Sequence, residues 1–231
     1  MFRFVYLLFS VLLCSIVAPV AAQNSIDDTQ VYGLEPILHN GEVYNYFPGV
    51  GVKGHQYFEQ KDFIEGTISV RGTTYENVFL NYDILNQQVI LKYLDPQGSN
   101  RLLAVSKAWL EKFSIGEEQF SVILKSDGQK IIVQTLNEGS IQLHIQWTKK
   151  LVADISFVSE YYTFDKKHQT LYISYNNTLQ EYKNTKTILA LLNPSAQEKV
   201  KKYMRLKKIK NRSNSMEQLN ELLVYCNQLG L

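Results

Sequence analysis

Between residues 63 and 182 the chain alternates apolar and polar residues in short runs, and turn-forming residues separate the runs. An alternation with a period of two is typical of half-buried strands. Parallel strands need long crossover connections, which are usually helices, and no helix-like segment interrupts the runs. The pattern therefore predicts an antiparallel β-rich body over residues 63–184, a rolled sheet or a sandwich of about nine strands.

Individual runs give more detailed expectations. In the run from Tyr75 to Tyr82, strict alternation places Val78, Leu80 and Tyr82 on one face and Tyr75, Asn77 and Phe79 on the other. Arg71-Gly72 is expected to turn the chain before this run. Asn137-Glu138-Gly139-Ser140 predicts a hairpin between residues 131–136 and 141–148. A second hairpin is expected between residues 157–164 and 170–175.

After Lys183 the apolar residues recur with the helical period. Asn193 followed by Pro194 is a typical helix start, and Asn214 is expected to cap the last helix. Residues 185–231 thus form a basic helical segment with a pair or trio of helices packed on the body, and the fold class is α+β. The expected apolar stripes are Ala196, Val200, Tyr203 and Met204 in one helix, and Leu219, Leu222, Leu223, Cys226 and Leu229 in the last.

The N-terminus has the features of a cleavable signal peptide over residues 1–22. Arg3 supplies a positive charge, residues 4–17 are almost wholly apolar, and small residues precede an expected cleavage after Ala22. The apolar run is shorter than the roughly 20 residues of a spanning helix, and no other stretch approaches that length. We therefore expect an exported protein, periplasmic or at the cell surface, with no transmembrane span after cleavage. Residues 23–62 are rich in turn formers and are expected to be an irregular lead-in.

Charge is divided unevenly along the expected mature chain. Residues 23–184 carry 14 basic and 19 acidic residues, whereas residues 185–231 carry nine basic and three acidic residues. Basic clusters bind nucleic acids or anionic membrane surfaces, and export argues against nucleic acid. Four residues of the basic helix are candidate contacts to an anionic surface: Lys201, Lys202, Arg205 and Lys208. The alternative is an ordinary amphipathic helix whose lysines face water.

The sequence contains no motif for catalysis, cofactor binding or metal binding. His39, His55, His144 and His168 are far apart and have no metal-ligand spacing. Cys226, the one cysteine outside the signal peptide, lies on an apolar helix face and is expected to be buried. We therefore expect no catalytic residue, no cofactor and no metal site, and the sequence favours a protein that is not an enzyme.

Short motifs are distributed over residues 38–229, at residues 54–58, 66–70, 75–78, 80–83, 113–120, 189–192 and 222–225. Together they resemble a family of exported, signal-peptide-bearing proteins of Bacteroidota whose function is unknown. Gln56 departs from it, because a proline is expected there. The resemblance implies export and a bacterial envelope setting, and it offers no catalytic residues to transfer.

The sequence thus leads to two hypotheses about function. The first is a non-catalytic protein of the cell envelope that binds or scaffolds an envelope protein, a glycan or an anionic membrane surface. The alternative is a hydrolase of an envelope polymer, with a site that is assembled only in the fold.

Overall fold

The computed structural model describes residues 35–154, 161–176, 178–212 and 215–229. The predicted signal peptide and the start of the lead-in lie outside the described residues. Within the described ranges the chain forms thirteen strands and then three helices. The strands are β1 (Gly41–Val43), β2 (Ile64–Val70), β3 (Thr73–Asp83), β4 (Gln88–Leu94), β5 (Asn100–Val105), β6 (Leu110–Ile115), β7 (Glu118–Leu124), β8 (Lys130–Thr135), β9 (Ile141–Thr148), β10 (Leu151–Asp154), β11 (Tyr161–Phe164), β12 (His168–Tyr175) and β13 (Thr178–Glu181). The helices are α1 (Thr185–Leu191), α2 (Pro194–Leu206) and α3 (Met216–Gln228).

Eleven of these strands form one antiparallel sheet in the order β1-β5-β4-β3-β2-β6-β7-β8-β9-β12-β13. Strands β10 and β11 pair separately as a two-stranded unit. The predicted α+β class, an antiparallel body followed by helices, is confirmed. The expected hairpin between residues 157–164 and 170–175 is wrong in its pairing, because β11 pairs with β10 whereas β12 lies between β9 and β13. Residues 157–160 of that expectation lie outside the described ranges.

The sheet curls strongly on itself. In the strand order, β3 and β7 are three positions apart, which is roughly 14 Å in a flat sheet. The rings of Tyr82 on β3 and Phe120 on β7 are nevertheless only 5.5 Å apart. Phe113 on β6 stacks on Phe120 at 4.8 Å, and all three side chains are buried. The main core is therefore enclosed by one sheet face, as in a rolled sheet.

The predicted alternation in β3 fails at one point. Gly66 pairs with Val78 and Ile68 pairs with Tyr75, so the register shifts, and Asn77 lies in a left-handed conformation with φ 56°. This bulge adds a residue and brings Tyr75 onto the core face with Val78. On the other side of β2, Gly66 permits the close approach of β6, since a Cβ at Gly66 would collide with the carbonyl oxygen of Ser114.

The described part of the lead-in contains the single short strand β1, yet it packs tightly on the sheet. Tyr44 and Tyr57 are buried against Ile90 and Ala104 on the outer face of β4 and β5. The hydroxyl of Tyr44 donates to the buried carboxylate of Asp83 at 2.7 Å. Gln56, the residue that departs from the family resemblance, is itself buried, and its Nε2 donates to the Tyr44 hydroxyl at 3.0 Å.

The helix starts follow side-chain capping. Asn193 accepts from the backbone N–H of Ala196, and Pro194 occupies the first turn of α2, as predicted. The expected cap of α3 is wrong by one residue: Ser215, not Asn214, accepts from the backbone N–H of Gln218. The Gln218 side chain accepts in return from the N–H of Ser215, which completes a capping box. Asn214 itself lies outside the described residues.

The helices cover one face of β9 and β12. The apolar face of α3 (Leu219, Leu222, Leu223 and Cys226) is buried in one cluster with Val200 of α2 and with Ile141, Leu143 and Ile173 of the sheet. The rings of Tyr203 and Tyr225 stack at 4.0 Å, which joins α2 to α3.

One amide side chain ties α3 to the tip of the β8–β9 hairpin. The backbone N–H of Ile141 donates to Asn227 Oδ1 at 2.8 Å, and Asn227 Nδ2 donates to the Ile141 carbonyl at 3.0 Å. The Asn227 side chain lies so close to Gly139 that any Cβ at that position would collide with it. The helix thereby fixes a hairpin that also borders the candidate site.

Candidate functional site

A groove of about 710 Å³ lies on the sheet face opposite the helices. Because side chains alternate along strands, the residues paired across β8, β9 and β12 share this face. We call this cavity the sheet groove. Its lining residues are Ser121, Ile123, Leu124, Thr135, Gly139, Ser140, Gln142, His144, Ser174, Tyr175, Asn176 and Leu179.

The centre of the sheet groove is a chain of hydrogen bonds across four strands. His144 on β9 is hydrogen-bonded through Nε2 to the Ser174 hydroxyl on β12 at 2.8 Å. Its Nδ1 is hydrogen-bonded to the Thr135 hydroxyl on β8 at 3.0 Å, and Thr135 in turn contacts the Ser121 hydroxyl on β7 at 3.4 Å. Both ring nitrogens are therefore satisfied, and the imidazole is held in one orientation.

His144 is only 3% exposed. Burial disfavours the charged imidazolium and lowers the pKa of His144 to about 4. The side chain is neutral at pH 7. None of the twelve described lining residues is Asp, Glu, Lys or Arg. The sheet groove is thus an uncharged surface made of hydroxyl, amide and imidazole groups.

Apolar side chains complete the sheet groove. Ile123 and Leu179 line it and pack against a buried cluster of Ile131, Val133 and Tyr172. Leu124 also lines it and is 61% exposed. A ligand in the groove therefore meets both hydrogen-bonding groups and an apolar border.

A second surface feature lies on the helices. All four predicted contact residues, Lys201, Lys202, Arg205 and Lys208, are exposed, and so are their basic neighbours. We call the complete set the basic patch: Lys199, Lys201, Lys202, Arg205, Lys207, Lys208, Lys210 and Arg212. Among the described residues, no carboxylate pairs with any of the four predicted contacts.

The cysteine and histidine residues outside the sheet groove do not form a reactive or metal-binding site among the described residues. Cys226 is buried, and burial raises the pKa of its thiol to about 12, so it is an unreactive core residue. In the part of the chain that the structure describes, no three His, Cys, Asp or Glu side chains group as metal ligands. His168 instead pairs with Asp165 at 2.6 Å on the surface.

Sequence reasoning missed the sheet groove. Its polar side chains come from segments as distant as Ser121 and Asn176, and strand pairing alone brings them together. The sequence of β9 contained one signal that could have indicated the groove. Its polar residues Gln142, His144 and Gln146 alternate with apolar residues, so the strand has an uncharged polar face opposite an apolar face.

No known protein family, curated protein or solved structure matches this chain. Of the helices in the described ranges, none combines the length and apolar character needed to cross a membrane.

Proposed function

We propose that this chain is an exported cell-envelope protein that binds a neutral glycan in the sheet groove and does not alter it chemically. The observation that carries this proposal is the uncharged lining of the groove. A carboxylate or ammonium group on a ligand would lose water there without gaining a charged partner, whereas uncharged hydroxyl groups would find donors and acceptors.

The position of the groove favours a glycan over a peptide. Peptides commonly bind sheets by adding a strand at an edge, where main-chain groups are unpaired. The groove lies on the face of β9 and β12, and β12 is already paired on both sides. Ligand recognition there depends on side chains. The hydroxyl and amide groups suit sugar hydroxyls, and Ile123 and Leu179 suit the C–H faces of sugar rings.

The lining also argues against glycoside hydrolysis. That reaction ordinarily needs two carboxyl groups about 5–10 Å apart. The twelve described lining residues supply none. The proposed role is therefore recognition of an envelope or extracellular polymer, which agrees with the expected export.

Titration calorimetry with sets of oligosaccharides tests the proposal. The neutral set contains gluco-, xylo- and chito-oligomers; oligogalacturonates are the anionic set and chitosan oligomers are the cationic set. We expect binding to a member of the neutral set only. The double variant Gln142→Ala, Ser121→Ala removes two hydrogen-bonding groups from the groove and should weaken the affinity for the neutral oligosaccharide about tenfold.

Gln169→Ala is the matched control, since Gln169 is exposed on β12 outside the groove lining. It should leave the affinity unchanged. Preferential binding of a charged oligomer, or of an uncharged peptide, would contradict the proposal. Equal losses in the groove and control variants would do so as well.

One contact favours a second candidate function, the hydrolase alternative. With the proton on Nδ1, His144 can accept from the Ser174 hydroxyl at 2.8 Å, as a general base does toward a serine nucleophile. Two features weigh against it. Thr135 stands where a carboxylate would stabilise an imidazolium, and a pKa of about 4 makes His144 a weak base. A fluorophosphonate probe tests this pair: stoichiometric labelling of Ser174 that His144→Gln abolishes would establish a serine hydrolase, and absence of labelling would exclude Ser174 as a nucleophile.

A further inference from the structure

The basic patch concentrates eight cationic side chains within 14 residues, and all eight are exposed. On α2, Ala196 and Val200 are buried against the core, so Lys201, Lys202 and Arg205 lie on the opposite, solvent-facing arc. No carboxylate of the described residues pairs with these three, so within the described ranges no ion pair compensates their charge. Such a concentration of charge attracts an external polyanion.

An apolar side chain protrudes from the same arc. Leu206, in the last turn of α2, is 74% exposed. At 100° per residue it follows Lys202 by one helical turn, so the two lie on one face. A leucine beside exposed cations is typical of helices that rest on a bilayer, where the cations meet headgroups and the leucine enters the acyl boundary.

The end of α2 adds a further observation. The N–H of Ile209 donates to the Met204 carbonyl at 2.9 Å, and Lys208 adopts the left-handed conformation with φ 54°. Glycine is the favoured residue at this position of a helix end, because a Cβ is strained there. The chain has a lysine instead, and its charge adds to the basic patch.

We propose that the basic patch docks the protein on an anionic phospholipid bilayer, with Leu206 as its apolar anchor. The surface lies on the helices, whereas the sheet groove lies on the opposite face of β9 and β12. The docked protein can therefore hold its groove toward the aqueous side. This proposal does not depend on the proposed ligand of the groove.

Vesicle flotation of the exported protein, purified in the form that the cell produces, tests the proposal. The vesicles are phosphatidylcholine alone or phosphatidylcholine mixed with phosphatidylglycerol. We expect binding to the mixed vesicles only, and weaker binding at high salt, because salt screens exposed charges. Each basic residue near an anionic surface strengthens binding about fivefold, so changing Lys201, Lys202, Arg205 and Lys208 together to Gln should weaken it several hundredfold.

Matched variants separate the patch from general effects. A body variant, in which four exposed lysines of the lead-in and the body are changed to Gln (Lys61, Lys112, Lys166 and Lys183), loses the same charge, and its binding should weaken much less. Leu206→Ser should weaken it about tenfold. Lys208→Gly should weaken binding about fivefold without lowering Tm, because glycine relieves the backbone strain.

Three results would overturn the proposal. The first is equal binding to neutral and anionic vesicles. The second is an equal loss in the patch variant and the body variant. The third is full displacement from mixed vesicles by duplex DNA at equal anionic charge, which would identify the patch as a nucleic-acid surface.

Discussion

Protonation of His144 should destabilise the fold as the pH falls. Its pKa is about 4 in the folded protein, against an ordinary value of 6.5 in the unfolded chain. Below pH 6.5 the unfolded state binds a proton that the folded state excludes, so folding stability is complete above this pH and decreases toward pH 4. The loss amounts to about 2 kcal/mol at pH 5 and about 3 kcal/mol at pH 4. That is a large share of a typical domain's stability.

Urea melts at pH 7.5 and pH 5 measure this loss, and His144→Gln provides the comparison. Glutamine can hydrogen-bond to Thr135 and Ser174 but does not titrate, so the variant should lose about 2 kcal/mol less than wild type over this interval. Other titrating groups act in both proteins and cancel in the difference. Equal losses in the two proteins, or an imidazole NMR titration midpoint near 6.5, would refute the argument that His144 is buried and neutral.

Other predictions follow from packing, hydrogen bonding and processing. Leu222→Ala should lower the free energy of unfolding by about 2–5 kcal/mol in a urea melt, because Leu222 is fully buried between α3 and the sheet. Asn227→Ala should lower it by about 1–3 kcal/mol, since the Ile141 N–H loses its acceptor; unchanged hydrogen exchange at Ile141 would contradict this. N-terminal sequencing of the exported protein should begin at Gln23, and a product that retains residues 1–22 would contradict the predicted cleavage.

Local sequence signals predicted the parts of the fold that depend on neighbours along the chain. The period of two predicted about nine strands, fewer than the thirteen that the structure describes, and the change of period after Lys183 predicted the helices. Asn193-Pro194 marked the start of α2 because a cap involves residues only three positions apart. The exposure of Lys201 and Lys202 was readable for the same reason, since one helical repeat decides which side faces water.

Features that depend on distant pairing could not be read in this way. The bulge at Asn77 changes the face of Tyr75 because the β2–β3 register shifts between Gly66 and Ile68, which alternation alone does not encode. The partner of β12 was mistaken, since sequence proximity favoured β11 over β9. The sheet groove was missed for the same reason: His144 and Ser174 are 30 residues apart and meet only through the β9–β12 register.

The central claim, that the sheet groove binds a neutral glycan, is tested most directly by NMR titration of the ¹⁵N-labelled protein. The probe is the neutral oligosaccharide that calorimetry finds to bind most tightly. Amide shifts should concentrate at Ser121, Thr135, Gln142 and Ser174, while residues of α2 stay unchanged. Shifts that cluster outside these strands, or an absence of shifts with every neutral oligomer while a charged one binds, would contradict the claim.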